Sequence, residues 1–353
     1  MISNITLENF TLFYKVEIDF CPKINIIIGE NGTGKTQLLK AAYAVSSTRQ
    51  QLATSSTDND VIKLKMTERL MKLFMPLDDK LGKLHRNGAE SNAKVTTAFF
   101  NDNKLEFSFH NNSQNLVLSG EGNLSNRQAA PVYIPTKEVL SFMKGFSSLY
   151  QRFELSFDQT YQDICLSLDL PEIRADQLQE KAKWAIEEIN TVVGGQFIFY
   201  GGGKVTFKSD NNEYSANIVA EGFRKVGMLA RLLETGAIQP GITGTLFWDE
   251  PESNLNPKLM RMLVEILLEL SRQGLQIVIA THDYVFLKWF DLLASESKGD
   301  QVKYHALYKD KENQEIKVEQ ADSYKSLSEN AISATYSDLT KTQVKNKMGG
   351  LGQ

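Results

Sequence analysis

Residues 24–36 read Ile24-Asn25-Ile26-Ile27-Ile28-Gly29-Glu30-Asn31-Gly32-Thr33-Gly34-Lys35-Thr36: an apolar strand, a glycine-rich turn and the start of a helix near Lys35. Few sequences constrain a fold this tightly. The glycines let the backbone curl so that its N–H groups converge, and the helix N-terminus behind them adds partial positive charge. Lys35 then reaches the β- and γ-phosphates of a nucleotide, and the Thr36 hydroxyl holds Mg²⁺. The run predicts an α/β fold around a nucleoside triphosphate. Its candidate binding residues are Gly29, Glu30, Asn31, Gly32, Thr33, Gly34, Lys35 and Thr36, with Thr36 also a candidate metal ligand. An ordinary strand–turn–helix would leave Lys35 without a purpose.

Two further apolar strands end in polar clusters. Leu246-Phe247-Trp248 runs into Asp249-Glu250-Pro251-Glu252-Ser253-Asn254-Leu255-Asn256-Pro257, and Ile277-Val278-Ile279 runs into Ala280-Thr281-His282-Asp283. Two acids at one strand end suggest a division of labour: Asp249 supports the Mg²⁺ shell through Thr36 or water, and Glu250 orients or deprotonates the attacking water. Simple strand-end capping by both acids is the competing explanation. A lone histidine at a strand end is more often a structural hydrogen-bonding group than a catalytic one, so His282 gains weight only from its position after the acidic pair. His85, His110 and His305 receive no role.

Asp249-Glu250-Pro251 followed by Ser253-Asn254-Leu255-Asn256 resembles the Walker B and D-loop segments of ATP-binding-cassette (ABC) ATPases, and Ala280–Asp283 resembles their switch-histidine segment. Within that class the chain is similar to the soluble RecF-, SMC- and OLD-like heads, including the stand-alone ATPases of bacterial anti-phage defence modules. Ile5–Phe10, Ile18–Phe20 and the strand before the glycine-rich loop match the way such heads begin. The resemblance covers residues 1–48, 130–140 and 215–300. It implies an ABC-type P-loop ATPase head with an antiparallel β subdomain and a helical insert. It also implies ATP and Mg²⁺ as cofactors, Glu250 and His282 as catalytic residues, and Asp249 with Thr36 at the metal. Two heads would sandwich two ATP molecules, each phosphate loop facing the signature segment of the other subunit.

The signature is where the chain departs from those relatives. Leu118–Gly122, LSGEG, looks closest by letters but precedes the strand Val132–Ile134 and is read as a loop. Ala220-Glu221-Gly222-Phe223-Arg224-Lys225 opens a helix just before the Asp249 strand and is better placed. It lacks the usual serine, leaving Gly222 and the helix N-terminus as the phosphate contact, with Arg224 or Lys225 expected to replace some of the charge. An amphipathic helix start of no catalytic use is the alternative. No glutamine fits the glutamine loop. Glu138, after Val132–Ile134, takes its place, either sensing metal or capping the next helix.

Composition sets bounds. Of 353 residues, 42% are hydrophobic, enough for a large core. No apolar run approaches the roughly 18 residues of a membrane span, and no signal segment opens the chain. Cys21 and Cys165 are too few for a disulfide framework or zinc cluster, so a cytoplasmic location is expected. Net charge −4 argues against general nucleic-acid coating. A local basic face remains, with Lys63, Lys65, Arg69, Lys72, Lys80, Lys83 and Arg86 on a helical segment broken at Pro76, alongside an apolar stripe that would suit packing or a partner.

These anchors predict a split head of residues 1–48, 130–140 and 196–320, a β/helical insertion at 49–129, a helical insert at 141–195 and a mobile tail at 321–353. Gln196–Tyr200 and Lys204–Lys208 form a hairpin across Gly201-Gly202-Gly203. There is no heptad run for a long coiled-coil arm and no room after His282 for a nuclease domain. Chemistry beyond ATP is therefore assigned to a partner. The expected function is a dimeric ATP-hydrolysing switch, a homodimer or higher homo-oligomer, gating a separately encoded effector such as a nuclease in anti-phage defence. The alternatives are a low-turnover nucleotide-binding scaffold or a RecF-like DNA-repair ATPase.

Overall fold

The computed structural model describes residues 1–52, 59–101, 103–119, 130–328 and 331–347. The first part contains β1 (Ile2–Phe10), β2 (Phe13–Asp19), β3 (Ile24–Gly29), α1 (Lys35–Leu52), α2 (Asn59–Phe74), β4 (Ala93–Phe99), β5 (Lys104–Phe109), β6 (Val117–Leu118) and β7 (Val132–Ile134). Next come α3 (Phe146–Arg152), α4 (Gln159–Leu168), α5 (Glu180–Val193), β8 (Gln196–Phe199), β9 (Val205–Ser209), β10 (Asn212–Ser215) and α6 (Glu221–Glu234). The last part holds β11 (Thr245–Asp249), α7 (Pro257–Arg272), β12 (Gln276–Thr281), α8 (Tyr284–Leu293), β13 (Val302–Lys309), β14 (Ile316–Ala321) and α9 (Ala331–Lys347).

Strands β3, β11 and β12 are buried at every position, as suits a parallel sheet covered on both faces. They lie in a six-stranded sheet ordered β14-β13-β3-β12-β11-β7, parallel except for β14 at the edge. Because side chains alternate across the pleat, neighbours divide between two cores. Ile26, Trp248 and Ile279 join the residues of α5 to α8, while Ile27, Phe247 and Val278 join those of α1, α2 and a second sheet. The carboxyl ends of β3, β11 and β12 therefore lie side by side, and the three polar clusters must meet there.

The second sheet is antiparallel, ordered β2-β1-β4-β5-β6, with Leu7 opposite both Val16 and Val95. It draws β1 and β2 from before the phosphate loop and β4 to β6 from the expected insertion, so the division at residue 48 runs through a shared sheet. On α2, Met66 and Leu70 are buried in the core, and Arg69 is buried with them. Its guanidinium pairs with Asp163 of α4, donates to Ser47 and lies 4.8 Å over the Tyr43 ring. Arg69 therefore does not belong to the basic face: a guanidinium this buried is held by its carboxylate.

The expected hairpin forms as β8 and β9, with Gly201, Gly202 and Gly203 all at positive φ, and a third strand, β10, pairs with β9. The Asp169 carboxylate accepts the N–H groups of Gly202 and Gly203, which fixes this turn as structural. Beyond Leu118, which ends β6, residues 120–122 of the rejected LSGEG segment lie outside the described residues. The tail differs from expectation. Tyr324 is buried, α9 follows, and the Tyr336 ring stacks on Tyr284 with centroids 4.0 Å apart. An aromatic contact supplies what its polar composition concealed. Residues 348–353 lie outside the described residues.

Candidate nucleotide site

The phosphate-loop segment sits between β3 and α1 as its sequence requires. Gly29, Gly32 and Gly34 have φ of 156°, 80° and 90°. A Cβ on Gly34 would stand 2.6 Å from the Phe13 ring, so both the left-handed backbone and the close approach demand glycine there. Lys35 is buried at the first position of α1, donating to the carbonyls of Gly29 at 2.8 Å and Glu30 at 3.1 Å. Burial lowers its pKa, and the charges of Glu250, Asp249 and Glu252 oppose that fall. The Thr33 hydroxyl closes the turn on the Glu30 carbonyl at 2.8 Å. Glu30 and Asn31 have exposed side chains, so their share in the turn is backbone.

β11 brings the acidic pair alongside. The Thr36 hydroxyl donates to Asp249 Oδ2 at 2.9 Å, joining the helix start to the neighbouring strand end. Asp249 is 3% exposed, and burial raises its pKa while the Thr36 bond favours the ionised form. Its Oδ1 is buried with no hydrogen-bond partner among the described residues. A hydroxyl and a carboxylate with one unused oxygen suit a hard cation that takes oxygen ligands, so the residues fit Mg²⁺.

Glu250 turns the chain out of the strand with φ of 48°, and its N–H donates to the Ala280 carbonyl at 2.9 Å. That bond ties the end of β11 to β12. It sets the Glu250 carboxylate 3.1 Å from His282 Nδ1, while His282 remains 47% exposed. The next residue, Asp283, caps α8 by accepting the Phe286 N–H at 2.7 Å.

Sequence reasoning missed Glu252. It is 4% exposed, accepts the Thr281 hydroxyl at 2.6 Å and the His282 N–H at 3.3 Å, and its Oε2 has no hydrogen-bond partner among the described residues. Burial raises its pKa, against those two bonds. The visible signal was a third acid in the Asp249–Glu252 run, one more than water activation and metal binding require. Tyr133 of β7, 3.5 Å from Asp249 Oδ2, was also missed, hidden in a purely apolar strand.

The α6 segment corrects the expectation for Arg224 and Lys225. Arg224 pairs with Glu138 at 2.8 Å and also donates to the Val219 carbonyl. The Lys225 ammonium is buried against the carbonyls of Thr136 and Glu250 and the Ser253 hydroxyl. Both cations are committed within their own chain, because buried carbonyls and a buried carboxylate already need them. Glu138 accepts the Ser141 N–H at 3.2 Å in the turn after β7, with Arg224 as its charge partner. The next helix, α3, begins at Phe146 with Gly145 as its N-cap, so Glu138 does not cap it. Gly222 has a reason within the chain too: a Cβ there would stand 2.6 Å from the Asn254 carbonyl oxygen. Ala220, the N-cap of α6, offers no side-chain cap, which leaves the first N–H groups of the helix to other acceptors.

A 61-residue segment is 41% identical to the DNA replication and repair protein RecF of Lactobacillus acidophilus, covering 17% of this chain and 16% of that protein. A 128-residue segment is 30% identical to the structural maintenance of chromosomes protein 6 of Dictyostelium discoideum, covering 30% of this chain and 11% of that one. The chain thus spans well under two thirds of these relatives. Among solved structures, the SMC head bound to the C-winged helix domain of ScpA is similar in fold, with a TM-score of 0.55 at 11% identity over 92% of this chain and 98% of that one. Residues 24–288 match the family described as "AAA domain, putative AbiEii toxin, Type IV TA system", and the chain belongs to it.

Proposed function

We propose that this chain is a dimeric switch driven by ATP hydrolysis, with Glu250 as general base. The observation that carries the reading is the convergence at three strand ends: Thr36 on Asp249 at 2.9 Å, and His282 on Glu250 at 3.1 Å. In this reading the backbone N–H groups of residues 29–34 and the Lys35 ammonium bind the β- and γ-phosphates. Thr36 Oγ1 and the Asp249 carboxylate would hold Mg²⁺, which when bound neutralises phosphate charge. Glu250 takes the proton from the attacking water at its carboxylate, and His282 orients that water and the γ-phosphate. Glu252 holds the His282 backbone in place.

The N-terminus of α6, with the backbone at Gly222, meets the γ-phosphate of a second copy. In this scheme residues 1–48, 130–140 and 196–320 are the nucleotide-driven head. Closure and release of the dimer gate a separately encoded effector, a nuclease of an anti-phage module. Sedimentation of Glu250→Gln tests the switch: ATP should double its mass and ADP should not, and a mass independent of nucleotide contradicts it. A second reading, a low-turnover nucleotide-binding scaffold, draws support from the inward commitment of Arg224 and Lys225. It is distinguished by slow hydrolysis in the wild-type dimer.

A further inference from the structure

Lys225 is 1% exposed, and an ammonium is seldom buried so completely unless every donor has a partner. Its Nζ lies 2.9 Å from the Thr136 carbonyl and 2.5 Å from the Glu250 carbonyl, with the Ser253 hydroxyl as third partner. Three donors meet three acceptors from three segments: the loop after β7, the residue after β11, and the turn before α7. The lysine itself stands in the first turns of α6. One side chain thus fastens that helix to the whole edge of the hydrolytic site.

What it fastens most directly is Glu250. This residue has φ of 48°, a left-handed conformation that a side chain with a Cβ adopts at a cost and keeps only when its surroundings impose it. Both of its backbone polar groups are held: the N–H by the Ala280 carbonyl, and the carbonyl by the Lys225 ammonium together with the Ser253 N–H at 3.1 Å. The direction of the Glu250 carboxylate toward His282 follows from that backbone. Burial pulls the Lys225 pKa down to about 8, and the charges of Glu252, Glu250 and Asp249 oppose the fall and favour the ammonium form.

We propose that Lys225 is a positioning residue for ATP hydrolysis, locking the left-handed Glu250 turn and coupling the position of α6 to the aim of the Glu250 carboxylate. This deepens the proposed function and rests on the role given there to Glu250. A helix that meets a second subunit at its N-terminus and holds the catalytic turn a few residues later gives subunit contact a direct route to the chemistry.

The test is hydrolysis by the full-length chain in wild type, Lys225→Met, Glu250→Gln and the double variant, with thermal unfolding read on each. Lys225→Met should lower kcat roughly a hundredfold, as misplacement of a reacting group by about an ångström does. KM and the affinity for a non-hydrolysable ATP analogue should stay within about twofold, because the phosphate loop is untouched. In single turnovers the double variant should be no slower than Glu250→Gln alone, since both changes act through one carboxylate. A kcat within about threefold of wild type, a KM rising in step with the loss, or a further loss in the Glu250→Gln background would overturn the proposal. Should Lys225→Met fail to fold, Ser253→Ala removes one of the three acceptors: a lower kcat at unchanged KM supports the lock, and an unchanged kcat overturns it. Wild-type turnover in Glu250→Gln would instead remove Glu250 from the mechanism, and this inference with it.

Discussion

The ends of β3, β11 and β12 and the N-terminus of α6 border the same candidate site, yet they spend their polar groups in opposite ways. At the strand ends Asp249 and Glu252 each bury an oxygen with no partner among the described residues, and His282 is half exposed. At the start of α6 the cations Arg224 and Lys225 are consumed by acceptors of their own chain. Charge near a phosphate-binding motif is thus a poor guide to phosphate contact. Unspent hydrogen-bonding capacity is a better one, because a buried polar atom without a partner costs free energy that a ligand can recover.

Substitution at the two places should therefore separate stability from binding. Arg224→Gln leaves the buried Glu138 carboxylate without its partner and should destabilise the fold by about 3 kcal/mol in urea unfolding, with ATP affinity unchanged. Lost affinity at unchanged stability would make Arg224 a phosphate ligand and dissolve the contrast. Lys35→Ala should do the reverse, weakening ATP binding by about 2 kcal/mol in calorimetry, the scale of a charge-assisted hydrogen bond. An unaltered affinity would place the nucleotide elsewhere. His282→Ala should lower turnover about tenfold while binding is retained, the loss of one orienting hydrogen bond in the transition state. Turnover equal to wild type would leave His282 outside the chemistry.

His305 sharpens the same contrast. His305 is fully buried, hydrogen-bonded to Gln320 and Asn25, and burial drives its pKa from near 6.5 down to about 3. Its folded pKa lies below its unfolded one, so the unfolded chain binds the proton more readily. The stability it contributes is complete above pH 6.5 and is lost as pH falls toward 3. Between pH 6.5 and 5.5 the loss should be about 1 kcal/mol in denaturant titrations, and His305→Gln should flatten it. An equal slope in that variant would exclude His305 as the source.

The strand-end half was the more legible in sequence because its chemistry is local. An apolar strand that stops in Asp249-Glu250, or in Thr281-His282, announces where polar atoms must gather, and parallel pairing brings such ends together. What stayed hidden depends on distant partners. Lys225 bonds to Thr136 across 89 residues, and Arg69 to Asp163 across 94. No periodicity distinguishes such cations from solvated ones. The antiparallel sheet crosses the expected boundary at residue 48 for the same reason: strand pairing is a long-range property. Gly222 was legible as a glycine but not in its cause, the close approach of Asn254. A side chain there disrupts the chain's own turn, so Gly222→Asp cannot by itself report on a contact between subunits.

The account stands most directly on the split between holding ATP and cleaving it at Glu250. Turnover and bound nucleotide should be measured together on wild type and Glu250→Gln, since the amide keeps the size of the side chain and removes the base. The variant should bind ATP as tightly as wild type and hydrolyse it at least roughly a hundredfold more slowly, the scale of a lost general base. Equal turnover in the two proteins would contradict the assignment of the strand-end cluster as the hydrolytic site.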